Sequence, residues 1–341
     1  MNLRSVIVST ESTTGLMKAV LCTEYTTVDK LSVSECHVPE LFPDGVRVAM
    51  QVAAINPPDV LMVQGKYQVK PELPFVPGLE GMGTVLEIGA NVTDLKPGDR
   101  VMSYAGQGCF AEQAVIARNR IELVPTDMSD IQASGFVLVY STAYHGLVDC
   151  GNLAAGDVLV VLGASGGIGL CAIQIGKAIG ATVIAVASTI EKLAMCKANG
   201  ADHVVNGATE NITERIKEIT AKKGANVILD VVGGDITEAA LRGIAPYGRL
   251  LIAGYASGVI PNIKGNLVLL KQASVIGVSY RLHLERNPKN AAANLRALCA
   301  MYVDGKLNPE VCAEYRIGQI VDALNEVSER RAIGKVAVKL Q

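Results

Sequence analysis

Val158-Leu-Val-Val-Leu-Gly163-Ala164-Ser165-Gly166-Gly167-Ile168-Gly169-Leu170 is the stretch around which the chain is organised. Val158 to Leu162 is an unbroken apolar run rich in β-branched residues, which reads as a strand buried on both faces. The chain then turns through Gly163, Ala164, Ser165, Gly166, Gly167 and Gly169. Leu170, Ile173, Ile175 and Ile179 follow at helical spacing. A second apolar run, Thr182 to Ala187, begins just after Gly180. Strand, glycine turn, helix and strand make one βαβ unit of about thirty residues.

Ala164-x-Gly166-x-x-Gly169 is the dinucleotide fingerprint with alanine at its first position. Gly166 lets backbone approach a pyrophosphate, and Gly169 lets the helix pack closely on the strand. The helix N-terminus offers unpaired N–H groups to the phosphates. Ala164, Ser165, Gly166, Gly167, Ile168 and Gly169 are therefore the candidate phosphate cradle. The bland reading is a glycine-rich turn of any α/β domain, but here the strand before, the helix after and the second strand all sit where the mechanism needs them.

An NAD site usually places Asp or Glu about 20 residues on, at the end of the second strand, to hold the ribose hydroxyls. This chain has Ala187-Ser188-Thr189 there, with no carboxylate until Glu191, and Lys192 follows. Small hydroxyls and an ammonium suit a 2′-phosphate, so Ser188 and Lys192 point to NADPH over NADH. A helix lysine can equally be a solvated surface residue.

The chain has 341 residues, enough for two domains, and half of them are hydrophobic. Its 31 basic and 33 acidic residues leave a net charge of −2, with no block of one sign that would suggest a nucleic-acid surface. The apolar runs are strand-length, so no transmembrane helix is expected. Eight scattered cysteines without a Cys-x-x-Cys pair read as reduced thiols in a cytoplasmic setting. With four histidines, no His-x-x-x-His and no Cys/His cluster, no metal site is expected. Residues 1–16 are Ser/Thr-rich and read as an N-terminal extension. Were they a leader, the destination would be mitochondrial.

From Met17 to Val124 short strand-like segments alternate with turn residues, the pattern of a β-barrel-like domain. Ile131 to Gly146 reads as one helix. From Val158 strands and helices alternate through Arg249 to Gly254, which argues a doubly wound parallel sheet with that last strand at its edge. The tail after Leu267 ends in a strand, Lys335 to Leu340, that returns to the first domain. The expected division is 17–140 with 268–341, and 141–267.

Beyond the glycine turn, the chain carries Asn56-Pro57-Pro58-Asp59, Pro77-Gly78-Leu79-Glu80-Gly81, Lys96-Pro97-Gly98-Asp99-Arg100-Val101, Ser141-Thr142-Ala143-Tyr144, Asp230-Val231-Val232-Gly233-Gly234 and Gly334-Lys335-Val336. In this order and spacing they resemble the medium-chain dehydrogenase/reductase superfamily, and within it the zinc-free quinone oxidoreductases that include zeta-crystallin. The resemblance spans roughly residues 17 to 341. It implies an α/β protein: a Rossmann doubly wound parallel sheet plus a GroES-like β-barrel catalytic domain, assembled as a homodimer. The zinc members' ligand positions fall here at Asn56-Pro57, at Leu79 and at about Leu138. Leucine has no lone pair to offer, so a catalytic zinc is not expected.

The resemblance implies that Asn56 and Tyr67 face the nicotinamide and the acceptor, where an amide or phenol could hydrogen-bond a carbonyl oxygen. It places Thr142, Gly254 and Tyr255 near the nicotinamide and lets Arg331 reach the cofactor. Relatives often carry Asn-Tyr where this chain has Asn206-Gly207, which removes one contact near the 2′-phosphate. The implied activity is metal-free, NADPH-dependent hydride transfer to a quinone or related conjugated carbonyl. Two alternatives stay open: reduction of an enone or enoyl-thioester double bond, and a non-catalytic NADPH-binding protein.

Overall fold

The structure, a computed structural model, describes residues 15–341. The expected extension, up to residue 14, lies outside the described residues, and the first strand opens at Leu16. In chain order the elements are β1 (Leu16–Leu21), β2 (Ser32–His37), β3 (Gly45–Ile55), α1 (Pro57–Val63), β4 (Glu80–Ile88), β5 (Arg100–Tyr104), β6 (Gln113–Ala117), β7 (Ile121–Leu123), α2 (Asp130–Ser134) and α3 (Val137–Tyr144). A π-helical turn, His145–Cys150, prolongs α3. Next come β8 (Val158–Leu162), α4 (Gly167–Ile179), β9 (Thr182–Ala187), α5 (Ile190–Ala198), β10 (His203–Asn206), α6 (Ile212–Ile219), β11 (Ala225–Asp230), α7 (Asp235–Leu241) and β12 (Ile244–Ile252). The chain closes with α8 (Gly265–Lys271), β13 (Ser274–Gly277), α9 (Tyr280–Arg286), α10 (Pro288–Val303), β14 (Val311–Arg316), α11 (Ile320–Ser328) and β15 (Lys335–Lys339).

Two compact units result: Val139–Pro309, and the described residues up to Leu138 together with Glu310–Gln341. In the first, six strands pair in the order β10-β9-β8-β11-β12-β13, every pair parallel. Numbered by appearance the order is 3-2-1-4-5-6, and it reverses between β8 and β11, where open α/β sheets bind their ligands. Val160, Leu162, Ile184, Val186, Ile228 and Leu250 fill the sheet's interior, and Ile212, Ile216 and Leu241 close over it from α6 and α7. Helix α4 ends at Gly180, whose φ of 95° is a left-handed cap. Its one long buried polar side chain, Gln174, accepts hydrogen bonds from Tyr140 Oη at 2.7 Å and Asn308 N at 2.9 Å, which pins the helix from two directions.

The other unit is β-rich. A seven-stranded sheet runs β14-β15-β3-β4-β5-β7, with β6 also on β3, and β1 pairs with β2. Strand β15 lies antiparallel to β3, so Val336 sits opposite Ile55 although the two are far apart in sequence.

Several expectations need correction. The second crossing between units falls at 309/310, not at 267/268. Strand β13 adds to the parallel sheet beside β12, which keeps the following helices with it. For the same reason Arg249 to Gly254 is not the sheet's edge; β13 is. The single helix expected over Ile131 to Gly146 is broken at Gly135 and turns π-helical after Tyr144. The tail also contains a helix, α11.

Candidate functional site

Three of the turn's four glycines have separable jobs. Gly163 leaves β8 with φ 69°, and a Cβ there would meet Val232 Cγ2 at 2.7 Å. Gly169 sits where α4 crosses the turn. A Cβ would lie 2.5 Å from Gly163 O and 2.6 Å from Ala164 Cα, so only glycine permits that packing. Gly166 differs: its φ is −83°, and a Cβ would find only Gly163 O at an ordinary 3.5 Å. Nothing in the unit requires glycine at that position, and its bare face opens outward. The first bond of α4 is Leu170 N to Gly166 O at 2.9 Å, so the N–H groups of Gly167, Ile168 and Gly169 precede the helical ladder. Ala164 is buried, its N–H held by Val186 O at 3.0 Å, and Ser165 is buried beside it. An open glycine face at a helix N-terminus fits a dinucleotide's pyrophosphate.

At the end of β9, Ala187 is buried and Ser188 exposed. Thr189 caps α5, its hydroxyl accepting Lys192 N at 3.3 Å, so Lys192 stands in that helix's first turn. The one carboxylate there, Glu191, is exposed. Past β10, Asn206 Oδ1 accepts Ala208 N at 3.0 Å, while Gly207 packs so closely that a Cβ would lie 3.1 Å from Val186 Cγ1. Glu210 accepts Asn206 N at 2.7 Å and pairs with Arg215 at 2.9 Å.

Past β11 the loop is shaped by Asp230, fully buried, whose Oδ1 accepts Val232 N at 2.8 Å and Gly233 N at 3.0 Å and whose Oδ2 accepts the Thr237 hydroxyl. The chain beyond β12 folds onto that loop: Ala253 N donates to Asp230 O and Ala256 N to Val231 O. Gly254 and the half-exposed Tyr255 thus lie at the same carboxyl edge of the sheet as the glycine turn. Thr142 is buried in α3, in the same unit. Arg331 is not brought to this edge as part of the same unit. It is exposed in the β-rich unit, and its guanidinium is engaged by Glu326 at 3.4 Å and Glu329 at 3.0 Å.

The β-rich unit holds a buried polar network that sequence reasoning missed. Lys335 Nζ donates to Glu80 Oε1 (2.9 Å), Asn56 Oδ1 (2.7 Å) and Ile55 O (3.1 Å). Asn56 Nδ2 donates to Glu80 Oε1 at 3.0 Å and Ala54 O at 3.3 Å. Asp59 accepts Asn56 N at 2.7 Å and Leu79 N at 2.9 Å, and Glu80 Oε2 accepts Leu138 N at 2.9 Å. Burial pushes the Asp59 carboxyl up to about 7 against these hydrogen bonds and the nearby Lys335. The Asn56 amide expected to face a substrate is engaged within the unit: its oxygen accepts from Lys335 and its Nδ2 donates to Glu80 and Ala54 O. Tyr67 is half-buried in the loop after α1, its own N–H bonded to Leu61 O at 3.1 Å. Lys335, Glu80 and Asp59 were visible as members of quoted motifs, but nothing in their spacing showed that they converge.

At the superfamily's zinc positions the donors do not fit. Leu79 is buried and presents only hydrocarbon, and the backbone N–H groups of Leu79 and Leu138 serve carboxylates. One group of possible metal donors among the described residues lies elsewhere. In the other unit His145, Asp149 and His283 bring their donor atoms within 4.8 Å of one another.

Two family descriptions match the chain: the Alcohol dehydrogenase GroES-like domain over residues 43–127 and Zinc-binding dehydrogenase over 167–295. The chain is 35% identical over 327 residues to a quinone oxidoreductase-like protein 2 homolog of Nematostella vectensis, covering 94% of this chain and 88% of that one. It is 36% identical to a probable quinone oxidoreductase of Leishmania amazonensis, covering 91% and 93%. A mycobacterial protein solved with NADPH superposes with a TM-score of 0.88 at 26% identity, over 95% of this chain and all of that one.

Proposed function

The chain belongs to the quinone oxidoreductase group of the medium-chain dehydrogenase/reductase superfamily and is an NAD(P)-dependent oxidoreductase; from that premise we propose that it reduces a quinone or related conjugated carbonyl with NADPH, without a catalytic metal. The observation that carries the reading is the open face of Gly166 between two closed glycines, at the point where the sheet order reverses. A glycine that no protein contact requires is accounted for by a ligand that must come close.

NADPH, when bound, supplies the hydride. The chain's residues supply position and charge. The N–H groups of Gly167, Ile168 and Gly169 hold the phosphates, with Ala164 and Ser165 fixing the turn. Ser188 and Lys192 receive the 2′-phosphate, a role supported by the missing carboxylate after β9. Thr142, Gly254 and Tyr255 serve the nicotinamide end. Tyr67 donates its phenolic hydrogen to the acceptor's carbonyl oxygen as negative charge builds there. Asn56 acts indirectly: joined to Lys335 and Glu80, it fixes the start of α1, from which the Tyr67 loop departs. Arg331 has no part in this proposal, since its charge is already engaged. Strand β13, an unpaired edge with Val275 38% exposed, and Leu269 and Leu270, each 76% exposed on the preceding helix, support a homodimer joined at that edge.

The test is loss of NADPH absorbance with a panel of quinones, enones and an enoyl thioester, run beside NADH. Turnover with quinones, faster with NADPH, is the expected result. Turnover confined to the enones or the thioester would move the assignment to double-bond reduction, with Tyr67 as the proton donor. Tight NADPH binding with no turnover on any acceptor would leave a non-catalytic binding protein.

A further inference from the structure

His145 and Asp149 stand one turn apart in the π-helical segment His145–Cys150, a distortion found mostly as single turns and often at functional sites. His283 comes from α9, and its ring stacks on that of His145 at 3.9 Å between centroids and 21° between planes. One carboxylate oxygen, Asp149 Oδ2, faces both rings, 2.8 Å from His145 Nδ1 and 3.7 Å from His283 Nε2. The second distance is too long for a hydrogen bond. His283 Nε2 is buried and has no hydrogen-bond partner.

The surroundings define what is missing. Burial first, and then the neighbouring His145, hold the His283 ring below its ordinary pKa against the pull of Asp149. The Asn290 side chain hydrogen-bonds the ring in the sense that favours its proton, as an amide oxygen accepting a ring N–H does. With Nε2 unpartnered, that bond falls to Nδ1. Nε2 then carries a lone pair, and it looks across 3.7 Å at a carboxylate oxygen. Two electron-rich atoms facing each other, one of them on a buried ring, are an arrangement that a cation between them relieves. An imidazole nitrogen and a carboxylate oxygen are both metal donors.

We propose that His145 Nδ1, Asp149 Oδ2 and His283 Nε2 bind one divalent first-row transition-metal ion of the zinc class, in a site distinct from the dinucleotide cradle. Two imidazoles and one carboxylate suit such an ion and not calcium or magnesium, which take oxygen donors. Metal–ligand distances of about 2.0–2.2 Å bridge the 3.7 Å gap from His283 Nε2 to Asp149 Oδ2 with a bent N–metal–O angle. Orienting partners are in place. Asn294 Nδ2 donates to Asp149 Oδ2 at 2.8 Å and to Asn290 Oδ1 at 3.2 Å, and Cys150 Sγ lies 3.5 Å from His145 Nε2, the nitrogen turned away from the site. When the metal takes Nδ1, the His145 proton moves to Nε2, where the Cys150 sulfur accepts it. The Asp149 side chain, 23% exposed, is the route of entry. The ion would tie the π-helical turn to α9 and, through Asn294, to α10.

The test uses chelator-treated full-length protein titrated with ZnCl2 by calorimetry and with CoCl2 by visible absorption. Wild type, His283→Gln and Asp149→Asn are compared, with circular dichroism to check folding. One saturable equivalent in wild type is expected, with both variants weakened at least about tenfold and Asn290→Ala weakened about 10–100-fold through the lost orientation. Zinc should raise the Tm of wild type and leave the Tm of the two ligand variants where it was. NADPH affinity should not change in any of them. No saturable binding by wild type overturns the site. Unchanged zinc affinity in folded Asp149→Asn does the same, and would assign the ion to surface thiols such as Cys312. A His283-dependent change of Tm with pH but not with zinc would mean that a proton, not a metal, fills the gap.

Discussion

Lys335 Nζ lies 2.9 Å from Glu80 Oε1, with both side chains buried although 255 positions separate them. The pair joins β15 to β4 across β3 and carries Asn56 with it, so it sets where α1 begins. Lys335→Met leaves Glu80 and Asn56 buried without their partner. The expected loss is about 3–5 kcal/mol, the range for breaking one side of a buried pair. Denaturant unfolding measures it, and a loss below about 1 kcal/mol would mean that water replaces the ammonium freely.

Asp59 gives the same network a pH dependence. Its folded pKa, about 7, is above its ordinary 3.8, so the folded chain holds the proton more tightly than the unfolded one. Its contribution is fully present below about pH 4 and is lost as pH rises through about 7. Asp59→Asn should flatten the fall in Tm between about pH 5 and pH 8, whatever it does to the absolute Tm. Equal slopes in wild type and variant would show that Asp59 does not titrate there.

Where a pattern is local, the chain was readable. Val158 to Ala187 predicts strand, glycine turn, helix and strand, and β8, α4 and β9 fall on those residues, because apolar periodicity and glycine punctuation act over short range. The distant pairings were not readable. Nothing near Ser274 says that β13 joins β12 in parallel, and the four residues Ser274 to Gly277 are too few for a burial pattern. The same limit hid the polar clusters. Lys335 meets Glu80, and His283 meets Asp149, only through topology. Asn56 shows a related limit: a motif names a residue but does not say which of its atoms are already bonded.

Lys192 stands in the first turn of α5, just after Ser188 and the exposed Glu191. Lys192→Glu should weaken NADPH binding about tenfold to a hundredfold, the loss of one charge-assisted contact, and should change NADH binding far less. Fluorescence titration with each cofactor separates the two. Equal losses would make Lys192 a surface residue.

Strand β13 ends the parallel sheet with unpaired backbone, and Leu269 and Leu270 stand exposed on the helix before it. Light scattering at micromolar concentration should give twice the chain mass of 35.8 kDa, and a proline at Val275 should shift the protein toward monomer, since it removes a donor from the edge. A single-chain mass for the unaltered protein would contradict the dimer.

In the proposed function the turn after β8 binds the phosphates of NADPH through the bare face of Gly166. NADPH titration of Gly166→Val, beside Gly169→Ala, tests it most directly. Gly166 has an unstrained φ and room for a Cβ, so its variant should fold with an unchanged circular dichroism spectrum and fail to bind NADPH. Gly169→Ala places a Cβ 2.5 Å from Gly163 O and should instead lose stability, by about 1–3 kcal/mol as overpacked sites do. A folded Gly166→Val protein that binds NADPH with wild-type affinity would contradict the account.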